Sequence, residues 1–407
     1  MKDKREFWVS SLFLIMSFRL PSLIQSYHLL RKTQRRTILL SASSSNHHVD
    51  NNILSSPTKP NSLDLVASRL GLDPSLNRFA APIVKHERYS FANWPPNHTF
   101  PMDKFDRIAH ALTTTYSKTV PTSTLPRPLV RKEEDFFRPL DLDQVPREWF
   151  DIIDADFVDR FLTSQLTHEE ARYIGFREQT HRPELIERTV LEVAGTVLTC
   201  QLAYHYGLAC NVAGGTHHAS PTGGAGYTIL NDLAVASNFM TNPTLNKGSV
   251  KGIERILVID CDVHQGDGTA KILEKNNDMF TCSIHCKNNF PARKAKSDLD
   301  VELEDNLDSH QYLKILNHTL ERCINLFNPE FVLYDAGVDI HLNDELGKLK
   351  VDDAGLIKRD EIVLQFFKSL SIPIATVIGG GYSKNKIELA KRHASIFKAA
   401  KNIFLED

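Results

Sequence analysis

The chain has 407 residues, 42% of them apolar and 24% charged, with a formal net charge of −2. That is enough for one large domain or two ordinary ones, and the composition excludes a collagen-like, wholly disordered or multi-span membrane chain. The longest apolar runs fall short of the roughly 20 residues that a bilayer span needs.

The charge is unevenly spread. Residues 1–49 hold eight Lys and Arg against two acids, an excess of six, so residues 50–407 carry −8. An acidic body is a poor match for a phosphate backbone, so no direct nucleic-acid binding is expected. Six Cys, all beyond residue 199, fit reduced thiols rather than a disulfide framework.

Residues 1–40 read as a targeting leader. A basic stub (Lys2, Lys4, Arg5) precedes an apolar run from Trp8 to Met16, and no acid occurs from Phe7 to Val49. The stub and run are those of a signal peptide. The Arg- and Ser-rich continuation is that of an organelle transit peptide. The expected compartment is a plastid or mitochondrion, with nucleus or cytoplasm the alternative if the leader is not a transit peptide. Residues 41–62 are rich in Ser, Asn and Pro and read as a linker, leaving residues 63–407 as the folded body.

Within that body, residues 186–206 show apolar residues at helical spacing up to Gly207. Short apolar or β-branched runs follow at Leu208–Val212, Arg255–Ile259, Phe280–Ile284, Phe331–Tyr334 and Ile374–Ile378. Helical patterns lie at 309–326, 356–370 and 384–400. This alternation predicts an α/β domain with a mostly parallel sheet. No phosphate-binding loop of either common type is present.

Nearly every unusual polar cluster stands just after one of those strands: Gly-Gly-Thr-His217-His218, Asp260-Cys-Asp262-Val-His264, Ser283-Ile284-His285, Asp335-Ala-Gly-Val-Asp339 and Gly379-Gly380-Gly381-Tyr382. Ligands of open α/β sheets bind outside the carboxyl ends of the strands, so five segments point at one crevice. In an extended strand end, Asp260, Asp262 and His264 would share one side. Asp with His suits Zn²⁺, Fe²⁺ or Mn²⁺, and Asp339 is the natural third ligand from another strand. His217 and His218 are candidate proton carriers, with Asp260 and Asp267 as spare carboxylates to orient them. The glycines before Tyr382 allow a close approach to a ligand, and the phenol can stabilise an oxyanion.

Taken in order, GGTHHA, ILND, VIDCDVHQGDGTA, SIH, AGVD and GGGY resemble the zinc-dependent histone deacetylase family, and DVHQGDGTA with the compact length resembles its class IV branch most. The resemblance runs from about Phe100 to the C-terminus. It implies an arginase/deacetylase fold: a single domain with a central parallel sheet of about eight strands flanked by helices. It implies one Zn²⁺ per chain, on Asp262, His264 and Asp339. His218 would be the general base for the attacking water and then the acid for the leaving lysine amine, oriented by Asp267. His217, bonded to Asp260, would stabilise charge, and Tyr382 would donate to the acetyl carbonyl oxygen. Gly226, Tyr227 and Phe290 would line a tunnel for the acyl-lysine stem, with Gly380 and Gly381 also facing the substrate. A structural K⁺ would lie near Asp260, Asp262, His264, Ser283 and Ile284, held mostly by main-chain oxygens. The implied substrate is an acetylated protein or peptide, histone tails or organellar proteins.

Three other readings share parts of this pattern. An amidohydrolase for acetylpolyamines or for longer acyl-lysine would keep every catalytic residue. A binuclear manganese ureohydrolase would need a second carboxylate set where this chain has His217-His218 and Tyr382. A non-catalytic acyl-lysine binding module would lack a ligand or the Tyr, and this chain lacks neither.

Overall fold

A computed structural model describes residues 81–114 and 133–404; the leader and linker expected over 1–40 and 41–62 lie outside them. Seven strands form one sheet: β1 (Ile83–Val84), β2 (Leu208–Asn211), β3 (Ile256–Asp260), β4 (Met279–Cys286), β5 (Leu299–Leu303), β6 (Phe331–Asp335) and β7 (Ile374–Val377). Their order is β1-β2-β7-β6-β3-β4-β5, and every neighbouring pair is parallel. The sheet therefore has seven strands among the described residues rather than about eight, and it is wholly parallel. β1 and β5 are the two that periodicity does not reveal. Residues 81–114, 133–367 and 372–404 belong to one compact unit.

The central strands β2, β7, β6 and β3 are buried at every position, as a parallel sheet covered by helices requires. That is why they read as continuous apolar runs rather than as alternation. The helix Pro183–Tyr206 has Pro in its first turn and ends at Gly207, whose φ of +84° suits a residue without a Cβ. It packs on β2 and β7 and on the helix Asp232–Thr241. The helical pattern at 384–400 is two helices, Lys386–His393 and Ser395–Phe404. At the break, the Ser395 hydroxyl donates to Asp360 at 2.7 Å, which ties the junction to the interior. No helix among the described residues is long and apolar enough to cross a membrane.

Strand order has a direct consequence for the site. Parallel strands end at the same edge of the sheet about 5 Å apart. β2, β7, β6, β3 and β4 are consecutive neighbours, so the loops after them meet along one line.

Candidate active site

The loop after β2 is held by a carboxylate that sequence reasoning left without a role. Asp232, fully buried at the start of its helix, accepts from the N–H of Gly215 at 3.0 Å and of Thr216 at 2.7 Å. It also accepts from the hydroxyls of Thr216 and Thr196. Next to it, Asn231 caps the helix through the N–H of Ala234 and donates to the carbonyl of Ala219 at 2.9 Å. The following dipeptide, His217-His218, is thereby fixed from both sides. Its rings stand 4.1 Å apart, each with a different carboxylate. Nδ1 of His217 lies 2.7 Å from Oδ2 of Asp260, and Nδ1 of His218 lies 2.8 Å from Oδ1 of Asp267.

These two dyads are electrostatically opposite. Burial opposes charge on His217, but the carboxylates of Asp260 and Asp262 outweigh it and raise its pKa well above the ordinary value. For His218, burial and then the charge of His217 lower the pKa to about 3. One imidazole is held as a cation beside a neutral one.

The expectation that Asp260, Asp262 and His264 share one side is not met. β3 ends at Asp260 and the chain then turns. The N–H of Asp262 donates to Oδ1 of Asp260 at 3.0 Å, and that of His264 to Oδ1 of Asp262 at 2.9 Å. The segment is not extended, so strand alternation does not apply. Asp260 faces His217, whereas Asp262 and His264 group with Asp339, Nδ1 of His264 lying 3.0 Å from Asp262 and 3.1 Å from Asp339. One ligand atom from each of Asp262, His264 and Asp339 lies within 4.8 Å of the others, and all three residues are buried.

Two carboxylates at hydrogen-bonding distance from one imidazole form a donor set for a divalent cation. The surroundings make room for one. A Cβ on Gly380 would overlap the carboxylate oxygens of both Asp262 and Asp339. Its N–H instead donates to Oδ2 of Asp262 at 2.7 Å. Burial and the neighbouring Asp262 push Asp339 up to about 7. Buried Arg359 holds this loop by donating to the carbonyls of Ala336 and Gly337.

The loop after β7 brings Gly379, Gly380, Gly381 and Tyr382 to the same place. The Tyr382 ring is buried, 6.4 Å from His264 and 6.0 Å from Tyr227. Gly226 and Tyr227 adopt φ of +54° and +65°, and a Cβ on Gly226 would overlap the His218 ring. Phe290 packs edge-on against His218 at 4.8 Å and is 40% exposed, outside the residues that line the pocket itself. The pocket lining includes the buried polar residues Lys104, Arg188 and Glu192. Ser283, Ile284 and His285 lie within β4 rather than after it, because the strand continues to Cys286, and Ser283 pairs in register with Asp260. All the residues singled out for potassium are buried.

Asn231 and Asp232 stand in the ILND motif without an assigned role, and Arg359 and the buried Lys104 went unread in the sequence. Asn231-Asp232 before a helix carries a capping signal, but nothing local says that these side chains point inward.

Comparison with known proteins agrees with this geometry. Residues 134–398 match the model of the histone deacetylase domain family. An uncharacterized protein of Picosynechococcus sp. is 41% identical over 325 residues, 79% of this chain and 99% of its own length. Histone deacetylase 2 of Arabidopsis thaliana is 32% identical over 209 residues, and the alignment spans 49% of this chain and about half (52%) of that relative. A crystallised HDAC homologue complexed with SAHA superposes with a TM-score of 0.62 at 22% identity, covering 80% of this chain and 84% of its own.

Proposed function

The chain belongs to the histone deacetylase family, and on that premise we propose that it hydrolyses the amide of N6-acetyl-lysine in proteins, as a member most similar to the class IV branch. The observation that carries this reading is the pairing of a cationic and a neutral His–Asp dyad beside a buried His/Asp/Asp group.

Asp262, His264 and Asp339 hold one Zn²⁺ in this reading, and zinc supplies Lewis acidity, polarising an amide carbonyl and making water nucleophilic near neutral pH. The protein's own residues do the rest. Asp267 occupies Nδ1 of His218, which turns Nε2 of a neutral ring toward the pocket as a general base. His218 takes the proton of the attacking water and returns it to the departing lysine amine. His217, charged and held by Asp260, stabilises negative charge as the carbonyl carbon becomes tetrahedral. The Tyr382 hydroxyl donates to the carbonyl oxygen as it becomes an oxyanion. Gly226, Tyr227 and Phe290 sheathe the aliphatic stem of the lysine, and Gly380 and Gly381 face the acyl group. A K⁺ held near Asp260, Asp262, His264, Ser283 and Ile284, mostly by main-chain oxygens, belongs to the same reading.

The substrate is an acetylated protein or peptide. The leader, free of acids from Phe7 onward, favours import into an organelle, where organellar acetylated proteins take the place of histone tails. The test is hydrolysis of an acetyl-lysine peptide by the purified chain, with zinc counted on the same sample. Turnover with about one zinc per chain supports the reading. Bound zinc without turnover on the peptide, but with turnover on acetylpolyamines, replaces it.

A further inference from the structure

We infer a second cation site, formed by His217, Asp260 and Asp335, beside the group of Asp262, His264 and Asp339 and separate from it. One ligand atom from each of the three residues lies within 4.8 Å of the others, and all three are buried. Asp335 is the residue that demands an explanation. It is 0% exposed, and neither of its carboxylate oxygens has a hydrogen-bond partner among the described residues. Its Oδ2 lies 3.9 Å from Nδ1 of His217.

Two glycines make room for that carboxylate. A Cβ on Gly215 would stand 2.7 Å from Oδ2 of Asp335, and one on Gly379 would overlap Oδ1. Both glycines have positive φ, so the loops after β2 and β7 come close to Asp335 where a side chain would block them. A buried carboxylate without a donor is costly and is retained where a cation compensates it.

One imidazole and two carboxylates repeat the donor set of the first group, which suits Zn²⁺, Mn²⁺ or Co²⁺. This is also not the potassium position of the family resemblance. That position joins Asp260 to Ser283 and Ile284 of β4, whereas Asp335 ends β6, on the other side of β3.

Occupancy has a consequence for His217. An ion there takes Nδ1, which otherwise lies 2.7 Å from Asp260. The second ion breaks the His217–Asp260 hydrogen bond, so metal load acts as a brake on the neighbouring site. The site itself does not depend on the deacetylase reading, because its occupancy is counted without a substrate.

The experiment strips the full chain of metal and titrates it with Co²⁺, following visible absorption and the metal retained after dialysis. The expected result is two equivalents in the natural chain and one in Asp335→Asn. Saturation of the natural chain at one equivalent overturns the site, as does a second equivalent that survives Asp335→Asn. Mn²⁺ titration of the natural chain alone provides a check free of any folding defect in the variant. Adjacent ions give a spin-coupled spectrum after the first equivalent, and two uncoupled ions overturn the geometry. Turnover of an acetyl-lysine peptide is expected to fall at least tenfold between the first and second equivalents. Level turnover over that interval overturns the assignment of the ion to His217.

Discussion

The backbone N–H of Tyr382 donates to Oδ2 of Asp344 at 2.7 Å. The other oxygen of that carboxylate accepts from the N–H groups of Leu346 and Gly347 at 2.8 and 2.9 Å. A single side chain thus ties the phenol-bearing loop after β7 to the loop that follows β6. Removing it frees the position of the phenol without touching the phenol. Asp344→Ala is expected to lower kcat by on the order of 10²-fold, because small displacements of a reacting group cost about that much. KM for an acetyl-lysine peptide should change less than kcat. A variant whose kcat equals that of the natural chain would remove Asp344 from the positioning of Tyr382.

The same carboxylate predicts a pH dependence. Burial, working against its three N–H donors, pushes Asp344 up to about 6, whereas His218 titrates at about 3. As pH falls through 6, Asp344 gains a proton and loses the charge that strengthens its bonds to the backbone. The acid limb of kcat/KM is therefore expected near 6, and Asp344→Asn should flatten that limb. A limb that Asp344→Asn leaves in place would assign the titration to another group.

Metal binding has its own proton balance. Without an ion, burial works against the charge of His264, but the carboxylates of Asp262 and Asp339 outweigh it and raise its pKa to about 10. A proton thus occupies the ligand nitrogen at neutral pH and must leave when a metal enters. Zn²⁺ affinity should rise with pH up to about 10, by roughly tenfold per unit for the His264 proton and more steeply below about 7, where Asp339 also gives up a proton. Competition with a chelator of known pH behaviour at pH 6.5 and 7.5 measures this, and a flat affinity would contradict the displaced proton.

The proton-transfer and oxyanion roles separate by substitution. His218→Ala is expected to lose about 10²–10⁴-fold in kcat, the range for a positioned general base. Tyr382→Phe should lose about 10²–10³-fold, the range for one oxyanion donor. Zinc content should stay at the level of the natural chain in both variants. Unchanged turnover in both would leave the fold standing and the roles wrong.

Gly226→Ala tests the floor under His218. The residue has a φ of +54°, and its new Cβ would overlap the His218 ring. Stability should fall by about 1 kcal/mol or more for the backbone strain alone. Activity should fall much further, because the displaced ring is the proton acceptor. Thermal unfolding and kcat/KM on the same preparation separate the two effects.

Much of the fold was legible because a covered parallel sheet writes itself as short, continuous apolar runs, each followed by the polar residues of the site. Thus β2, β3, β4, β6 and β7 appear in the sequence, together with the clusters that close on the pocket. β1 escapes because two residues carry no periodicity. β5, with Asp300 and Glu302 among its residues, lies at the edge of the sheet, where solvent allows charge.

For the site, the sequence by itself determined which chemistry was available: paired histidines, carboxylates at strand ends, and a phenol behind three glycines. Tertiary structure decided who meets whom. Asp262 meets the backbone of Gly380 across 118 residues of chain, and Asp260 meets His217 across 43. Asp260 and Asp262 look equivalent in the sequence yet serve different groups, because the chain turns as β3 ends. The unpartnered state of Asp335, the capping of the His217-His218 loop by Asp232 and the grip of Asp344 on Tyr382 likewise depend on which loops the strand order brings together. Burial and partnership belong to pairs of segments, and a local pattern contains only one member of each pair.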